Sequence, residues 1–309
     1  MNISKIFNLS LIYSSFRSAT PIIYAALCAS ITQQADILNI GTEGIMLVGA
    51  FMAVAISYLT GSFLLAIFVA MFSGLLIAML MAVGHIRYKA DICAIGMGIN
   101  LFAIAITKFL LNTWLKQNGT FSDPKIATIP RFNVKFLENM PILGEILNDI
   151  SITEIFVIIL IALMYFAFYK TVWGLRLRSV GRMPQAAASA GINVNMMKYQ
   201  AIAISGLIGG LAGAHLSIGY SKMFVENMTN QRGFMGVAAM YFGNADPILT
   251  SLACLVFGFS DSVGSRLQAY GVPSQLVLML PYIVTILILA ISMITKLRRE
   301  KRRKSSLIK

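Results

Sequence analysis

Charge is what this sequence has least of. Only 12% of its residues are charged, against about 25% in an ordinary soluble domain. A dispersed globular fold of this size would lack the polar surface it needs. Histidine occurs twice and cysteine three times, with no Cys-x-x-Cys. That leaves little for acid–base chemistry, a metal centre or a disulfide scaffold. Cys28, Cys93 and Cys254 all sit among apolar neighbours and are expected to be buried, inert thiols. No Gly-Lys pair occurs, so the chain has no phosphate-binding loop of the Gly-x-x-x-x-Gly-Lys kind. No His-Glu-x-x-His and no Ser/His/Asp set is visible either.

Apolar residues fill the space that charge leaves, at 58% of the chain and a mean hydropathy of +0.78. They fall in blocks of roughly 17–25 residues, the length that crosses about 30 Å of hydrocarbon as a helix. The short alternating segments of a membrane β-barrel are absent. The fold class is therefore all-α: a polytopic transmembrane helical bundle of about 8–10 spans in one domain. Candidate spans are 18–34, 42–60, 62–85, 92–115, 151–169, 199–220, 233–245, 247–268 and 275–295. The seventh is short and glycine-rich, which fits a half-helix. No cleavage site follows a discrete apolar core near Lys5, so the first segment reads as retained.

The net charge of +13 is not a nucleic-acid signal, because the basic residues gather at the ends of apolar blocks and set topology. Segment 171–198 with the adjoining Lys170 carries Arg176, Arg178, Arg182 and Lys198 and no acid. The tail 296–309 carries eight basic residues against Glu300. Both are expected in the cytoplasm, and the tail against anionic lipid. Arg87 and Lys89 fit the same side. Loop 116–150 balances its charges and is expected outside. Nine spans would put the N-terminus outside, and one more short element would put it inside.

Four interruptions stand out. Asn39-Ile40-Gly41-Thr42-Glu43-Gly44 is either a broken helix lining a polar path or a plain turn with an early-helix acid. In segment 171–198, Met183-Pro184 can open a short helix over Gln185, Ala186 and Ala187, and Gly191 can close it before Ile192. That helix is either a partner surface or a solvated connector. Gly206, Gly209, Gly210 and Gly213 repeat at the spacing that packs membrane helices closely. His215 follows them, and a lone membrane histidine is usually a satisfied hydrogen bonder. Asp261, with Arg266 a candidate neighbour, is an ionisable group inside a span.

With these motifs in hand, the chain resembles permease subunits of bacterial ABC importers of the ribose/branched-chain amino acid superfamily, nearest to nucleoside permeases. The stretches that carry the likeness include Asp36-Ile-Leu-Asn-Ile-Gly-Thr-Glu-Gly-Ile-Met-Leu-Val-Gly49, Gly174-Leu-Arg-Leu-Arg-Ser-Val-Gly181 and Leu255-Val-Phe-Gly-Phe-Ser-Asp261. Arg182 departs from it, standing where relatives commonly carry an acid. The resemblance implies a transport subunit rather than an enzyme, in a bacterial cytoplasmic membrane with its C-terminus inside. ATP and Mg would be bound by a separate ABC ATPase subunit. The other partners would be a homologous permease and a substrate-binding lipoprotein. Arg182, Gln185, Ala186, Ala187, Gly191 and Ile192 would couple to the ATPase. Asn39, Thr42, Glu43, Asn100, His215 and Asp261 would lie along the substrate pathway. A nucleoside is the expected solute, then riboflavin or a simple sugar. The rivals from other classes are an ion-coupled secondary transporter, with Glu43 and Asp261 as ion sites, and a membrane assembly protein.

Overall fold

The computed structural model describes residues 9–132 and 150–269, together with Met279 and Ile283. The expected span 275–295 and the basic tail lie outside the described residues, except for those two positions. Ten α-helices run through the described residues: α1 Leu9–Gln34, α2 Thr42–Thr60, α3 Phe63–Ala82, α4 Ile92–Leu115, α5 Ile152–Lys170, α6 Val172–Arg182, α7 Pro184–Ser189, α8 Val194–Ala214, α9 Arg232–Phe242 and α10 Pro247–Ala269. Wider π-helical turns extend α3 over Val83–Arg87 and α8 over His215–Ser221. Six helices are long and apolar enough to cross a membrane, namely α2, α3, α4, α5, α8 and α10. The chain is a multi-pass membrane protein.

Two of the six form the middle of the bundle. The most apolar stretch of α8 is 83% buried and that of α2 72%, whereas those of α3, α4 and α5 are 33% buried. Leu64, Phe68, Phe72, Met97, Leu101 and Phe109 are accordingly exposed, which costs nothing against lipid tails. Cys93 is exposed as well, contrary to the expectation of a buried thiol. Apolar neighbours in sequence do not separate a core position from a lipid-facing one.

The central helix α1 is already helical at Leu9, the first described residue and nine residues before the expected start. Its first half is rich in hydroxyls, which depressed its apolar signal. Three of those hydroxyls are satisfied within the helix. Ser14, Ser15 and Thr20 donate to the carbonyls of Ser10, Leu11 and Phe16 at 2.8, 2.6 and 2.9 Å. Farther along, residues 22–29 are no more than 2% exposed.

Helix ends show how the chain is threaded. α5 finishes at Lys170 and α8 starts at Val194, so both meet segment 171–198 at one end of the bundle, here the basic end. α1 finishes there too, because Gly181 packs directly on the Gln34 carbonyl. At the opposite end, two-residue strands β1 Thr120–Phe121 and β4 Phe224–Val225 pair antiparallel, as do β2 Arg131–Phe132 and β3 Ile150–Ser151. The first pair ties the loop after α4 to the segment after α8, and the second ties that loop to the start of α5. α9 has 11 residues, enough for about 16 Å, or half the hydrocarbon thickness.

Candidate functional site

The break between α1 and α2 folds back into the bundle. After Gln34 the chain turns through Asp36 at φ 58° and returns beside Cys28. Asn39 is fully buried and donates through Nδ2 to Ser205 Oγ at 3.0 Å. Ser205 Oγ also meets Cys28 Sγ at 3.0 Å, and Thr42 Oγ1 donates to the Asn39 carbonyl at 2.8 Å. Asn100, on α4, holds both sides of the break. Its Nδ2 donates to the Ile40 carbonyl at 3.0 Å and its Oδ1 accepts the Gly44 N–H at 2.8 Å. These are backbone groups that an unbroken helix would have paired for itself. Asn100 lies about 12 Å along α4, so the break sits well inside the membrane-spanning layer, not at its surface. A plain solvated turn is excluded.

Glu43 reaches from that break to α9. It is 6% exposed, and its two oxygens accept the Gln231 N–H at 2.9 Å and the Gly233 N–H at 2.7 Å. The carboxylate thus caps the start of a half-helix, where free N–H groups and the helix dipole both favour negative charge. Gly233 is required, since a Cβ would lie 2.6 Å from Glu43 Cα. Both oxygens of Glu43 are thus engaged by backbone N–H groups. Glu43→Ala strands the buried Gly233 N–H and removes the partner of the part-buried Gln231 N–H, and about 1–3 kcal/mol of stability is expected to go. Glu43→Gln keeps one acceptor and should lose less. Thermal unfolding of the purified chain measures both, and equal melting of all three proteins contradicts the cap.

Arg232, the first residue of α9, carries the network to α10. Its guanidinium lies 3.4 Å from Asp261 Oδ2, with the two side chains 18% and 30% exposed. The candidate partner Arg266 instead donates to Ser10 Oγ at 2.8 Å. Arg232 was not singled out in the sequence because it stands between spans. The membrane-depth start of α9 is what brings it to Asp261.

His215 belongs elsewhere. It is buried, with Nδ1 2.7 Å from Thr153 Oγ1 and its ring 5.9 Å from that of Tyr24. Tyr24 Oη donates to the Thr153 carbonyl at 2.6 Å. His215 therefore ties the end of α8 to the start of α5. The structure joins Asn39, Thr42, Glu43 and Asn100 in one network, adds Ser205, and leads through Gln231–Arg232 to Asp261.

The small residues of α8 meet backbone. A Cβ on Gly206 would lie 2.8 Å from the Gly74 carbonyl oxygen, and one on Gly209 would lie 2.7 Å from Ile45 Cγ2. One on Gly210 would overlap the Ala70 carbonyl and one on Gly213 the Met46 carbonyl. α8 thus contacts α3 on one side and α2 on the other at backbone range.

Segment 171–198 is more ordered than its polarity implied. Thr171 caps α6 by accepting the Gly174 N–H at 3.1 Å. α7 has proline at its first turn, and Gly191 follows at φ 78°. Ala187 is 4% exposed, while Gln185, Ala186 and Ala188 are exposed. Two of the contacts between the segment and the bundle reach α1 and α10. Gly181 sits on Gln34, as above. Arg178 lies 4.9 Å over the Tyr169 ring, and Tyr169 Oη donates at 2.9 Å to Asp246, whose other oxygen caps α10 through the Ile248 and Leu249 N–H groups at 3.0 Å. Displacing the segment therefore pulls on the end of α1 and the start of α10.

Comparison with known proteins sets this geometry in a family. Residues 11–289 match the family model of the branched-chain amino acid transport system permease component. The chain is 36% identical over 284 residues to the guanosine ABC transporter permease protein NupQ of Bacillus subtilis, covering 88% of each. It is 34% identical to the nucleoside ABC transporter permease protein NupC of Lactococcus lactis, covering 91% of this chain and 90% of the relative. A putative glucose ABC transporter permease of Haloferax volcanii is 29% identical over 85% of this chain. No solved structure matches the chain.

Proposed function

Because this chain belongs to the branched-chain amino acid transport system permease family, we propose that it forms half of the membrane pathway of an ATP-driven nucleoside importer. The observation that carries the substrate is the 36% and 34% identity, over about nine-tenths of the chain, to permeases named for guanosine and nucleosides. The whole chain is one permease domain. Segment 171–198 and the tail 296–309 face the cytoplasm, and loop 116–150 faces outside. A homologous permease supplies the other half. A separate ATPase subunit binds ATP and Mg, and a lipoprotein delivers the solute from outside.

Two features of the geometry support this reading. Arg232 and Asp261 are paired yet partly exposed. A charged side chain at the helix centre costs about 2.5–3.5 kcal/mol against lipid, so their exposed side is better placed against a water-filled path closed by the second permease. α9 starts inside the membrane layer beside them, the arrangement by which half-helices place polar backbone near a solute. Asn39, Thr42, Glu43 and Asn100 then act as the brace that holds α9 there, with Asp261 and Arg232 nearer the solute. Engagement of both Glu43 oxygens counts against the ion-coupled alternative.

Coupling runs through segment 171–198. ATP binding closes the ATPase subunits and displaces α7. The Gly181–Gln34 contact and the Arg178–Tyr169–Asp246 chain pass that displacement to α1 and α10, which flank α9. The segment must differ between the two access states for ATP to bias them.

The test is uptake of labelled guanosine by cells lacking their own nucleoside uptake and carrying this chain with its partner subunits. Unlabelled nucleosides should compete, and riboflavin and glucose should not. Competition by riboflavin or glucose alone would reassign the substrate.

A further inference from the structure

A groove of about 990 Å³ lies at the basic end between α6, α7 and the start of α8. Trp173, Leu175, Met183 and Met196 form its apolar floor, and Arg176 and Arg182 stand beside them. Leu175, Met183 and Met196 are 60%, 68% and 57% exposed, and neither arginine has an ion-pair partner among the described residues. We propose that this groove is a binding site for an anionic phospholipid, with acyl chain on the apolar floor and phosphate between Arg176 and Arg182.

Depth argues for lipid. α8 with its π-helical extension has 28 residues, about 42 Å of helix against about 30 Å of hydrocarbon. One or both ends therefore pass beyond the hydrocarbon, and Met196 stands in the first turn, at the basic end. α6 begins two residues after the end of α5 and exposes Val172 and Leu175 beside Arg176, while Leu177 and Val180 are buried on its other face, an amphipathic arrangement that suits an interfacial helix. Trp173 holds its indole in the wall by donating to Gln200 Oε1 at 3.0 Å, as tryptophans do at membrane interfaces. Charge argues for an anion, since no acid occurs between residues 170 and 198, and two guanidinium groups suit phosphate. Of the residues expected to couple to the ATPase, Arg182, Ala186, Ala187, Gly191 and Ile192 line the groove, whereas Gln185, with Ala188 and Ser189 on the same face of α7, does not, so a lipid in the groove would brace α7 on one face and leave the Gln185–Ala188 face for the ATPase.

The test is native mass spectrometry of the full-length chain after exchange with phosphatidylglycerol or with phosphatidylcholine of the same acyl chains. The wild type should retain phosphatidylglycerol with a preference on the order of tenfold, undiminished by millimolar inorganic phosphate. The double variant Arg176→Gln/Arg182→Gln should lose the preference, and Arg176→Lys/Arg182→Lys should keep most of it. Leu175→Glu should weaken retention of both lipids. No preference in the wild type, or an unchanged preference in the glutamine variant, overturns the site. So does displacement by inorganic phosphate, which would make it a plain anion site. Labelling Met196→Cys with a soluble maleimide separates the remaining occupant: protection by phosphatidylglycerol vesicles supports the lipid, and protection only by added ATPase subunit overturns it.

Discussion

Gly210→Leu is expected to destroy the folded protein. Three helices converge on this residue. A Cβ at Gly210 would overlap the Ala70 carbonyl of α3, and those built on Gly49 of α2 and Gly74 of α3 would each approach Gly210 backbone to within 2.8 Å. The neighbouring atoms are backbone and cannot swing aside. Overpacking a core costs about 1–3 kcal/mol where side chains can adjust, and here the helices themselves must separate. A loss above about 4 kcal/mol is therefore expected, at the extreme of single substitutions. Gly98→Leu is the control, because nothing lies within 4 Å of a Cβ there and the position is exposed. Yield of monodisperse protein and its melting temperature report the difference. Wild-type behaviour of Gly210→Leu would mean that the three helices do not cross as described.

The same crossing shows what the sequence could and could not tell. Gly206, Gly209, Gly210 and Gly213 lie on one helix at a regular spacing, which marks a packing face without naming its partner. The partner glycines carry no such pattern: Gly74 stands singly in α3, and Gly49 shares α2 only with Gly44, five residues away. The helical class and most spans were legible because lipid selects apolar residues over a fixed length. That selection hides the difference between core and lipid face, as Cys93 shows. Polar residues were more informative but ambiguous. Glu43 was legible as an anomaly, yet its role depends on the backbone of Gln231 and Gly233, nearly two hundred residues away. Asp261 invited a partner one helical turn on, and the fold supplied Arg232 from another element. The start of α1 was not legible because its serines and threonines lower its apolar signal, whereas Ser14, Ser15 and Thr20 bond to the preceding turn and Ser18 meets Ser262 of α10.

Ala188→Glu is expected to abolish transport without unfolding the chain. α7 is a short helix whose exposed side carries Gln185 and Ala188. An unpaired carboxylate in a protein interface costs about 2–5 kcal/mol, enough to lower association with the ATPase at least about thirtyfold. Co-purification of the ATPase subunit and guanosine uptake should fall together, while the melting temperature of the isolated chain stays unchanged. Ala187 is unsuited to this test. It is 4% exposed, so a glutamate there would disturb packing before docking. Full ATPase retention by Ala188→Glu would move the coupling surface away from α7.

The source of energy for uptake tests the central claim most directly. Labelled guanosine uptake should be followed in intact cells carrying the assembled importer, once under ATP depletion and once under a protonophore that collapses the ion gradient while ATP is maintained. An ATP-driven permease predicts that uptake stops in the first condition and continues in the second. Uptake that survives ATP depletion and stops with the protonophore would contradict the account and make this chain an ion-coupled carrier.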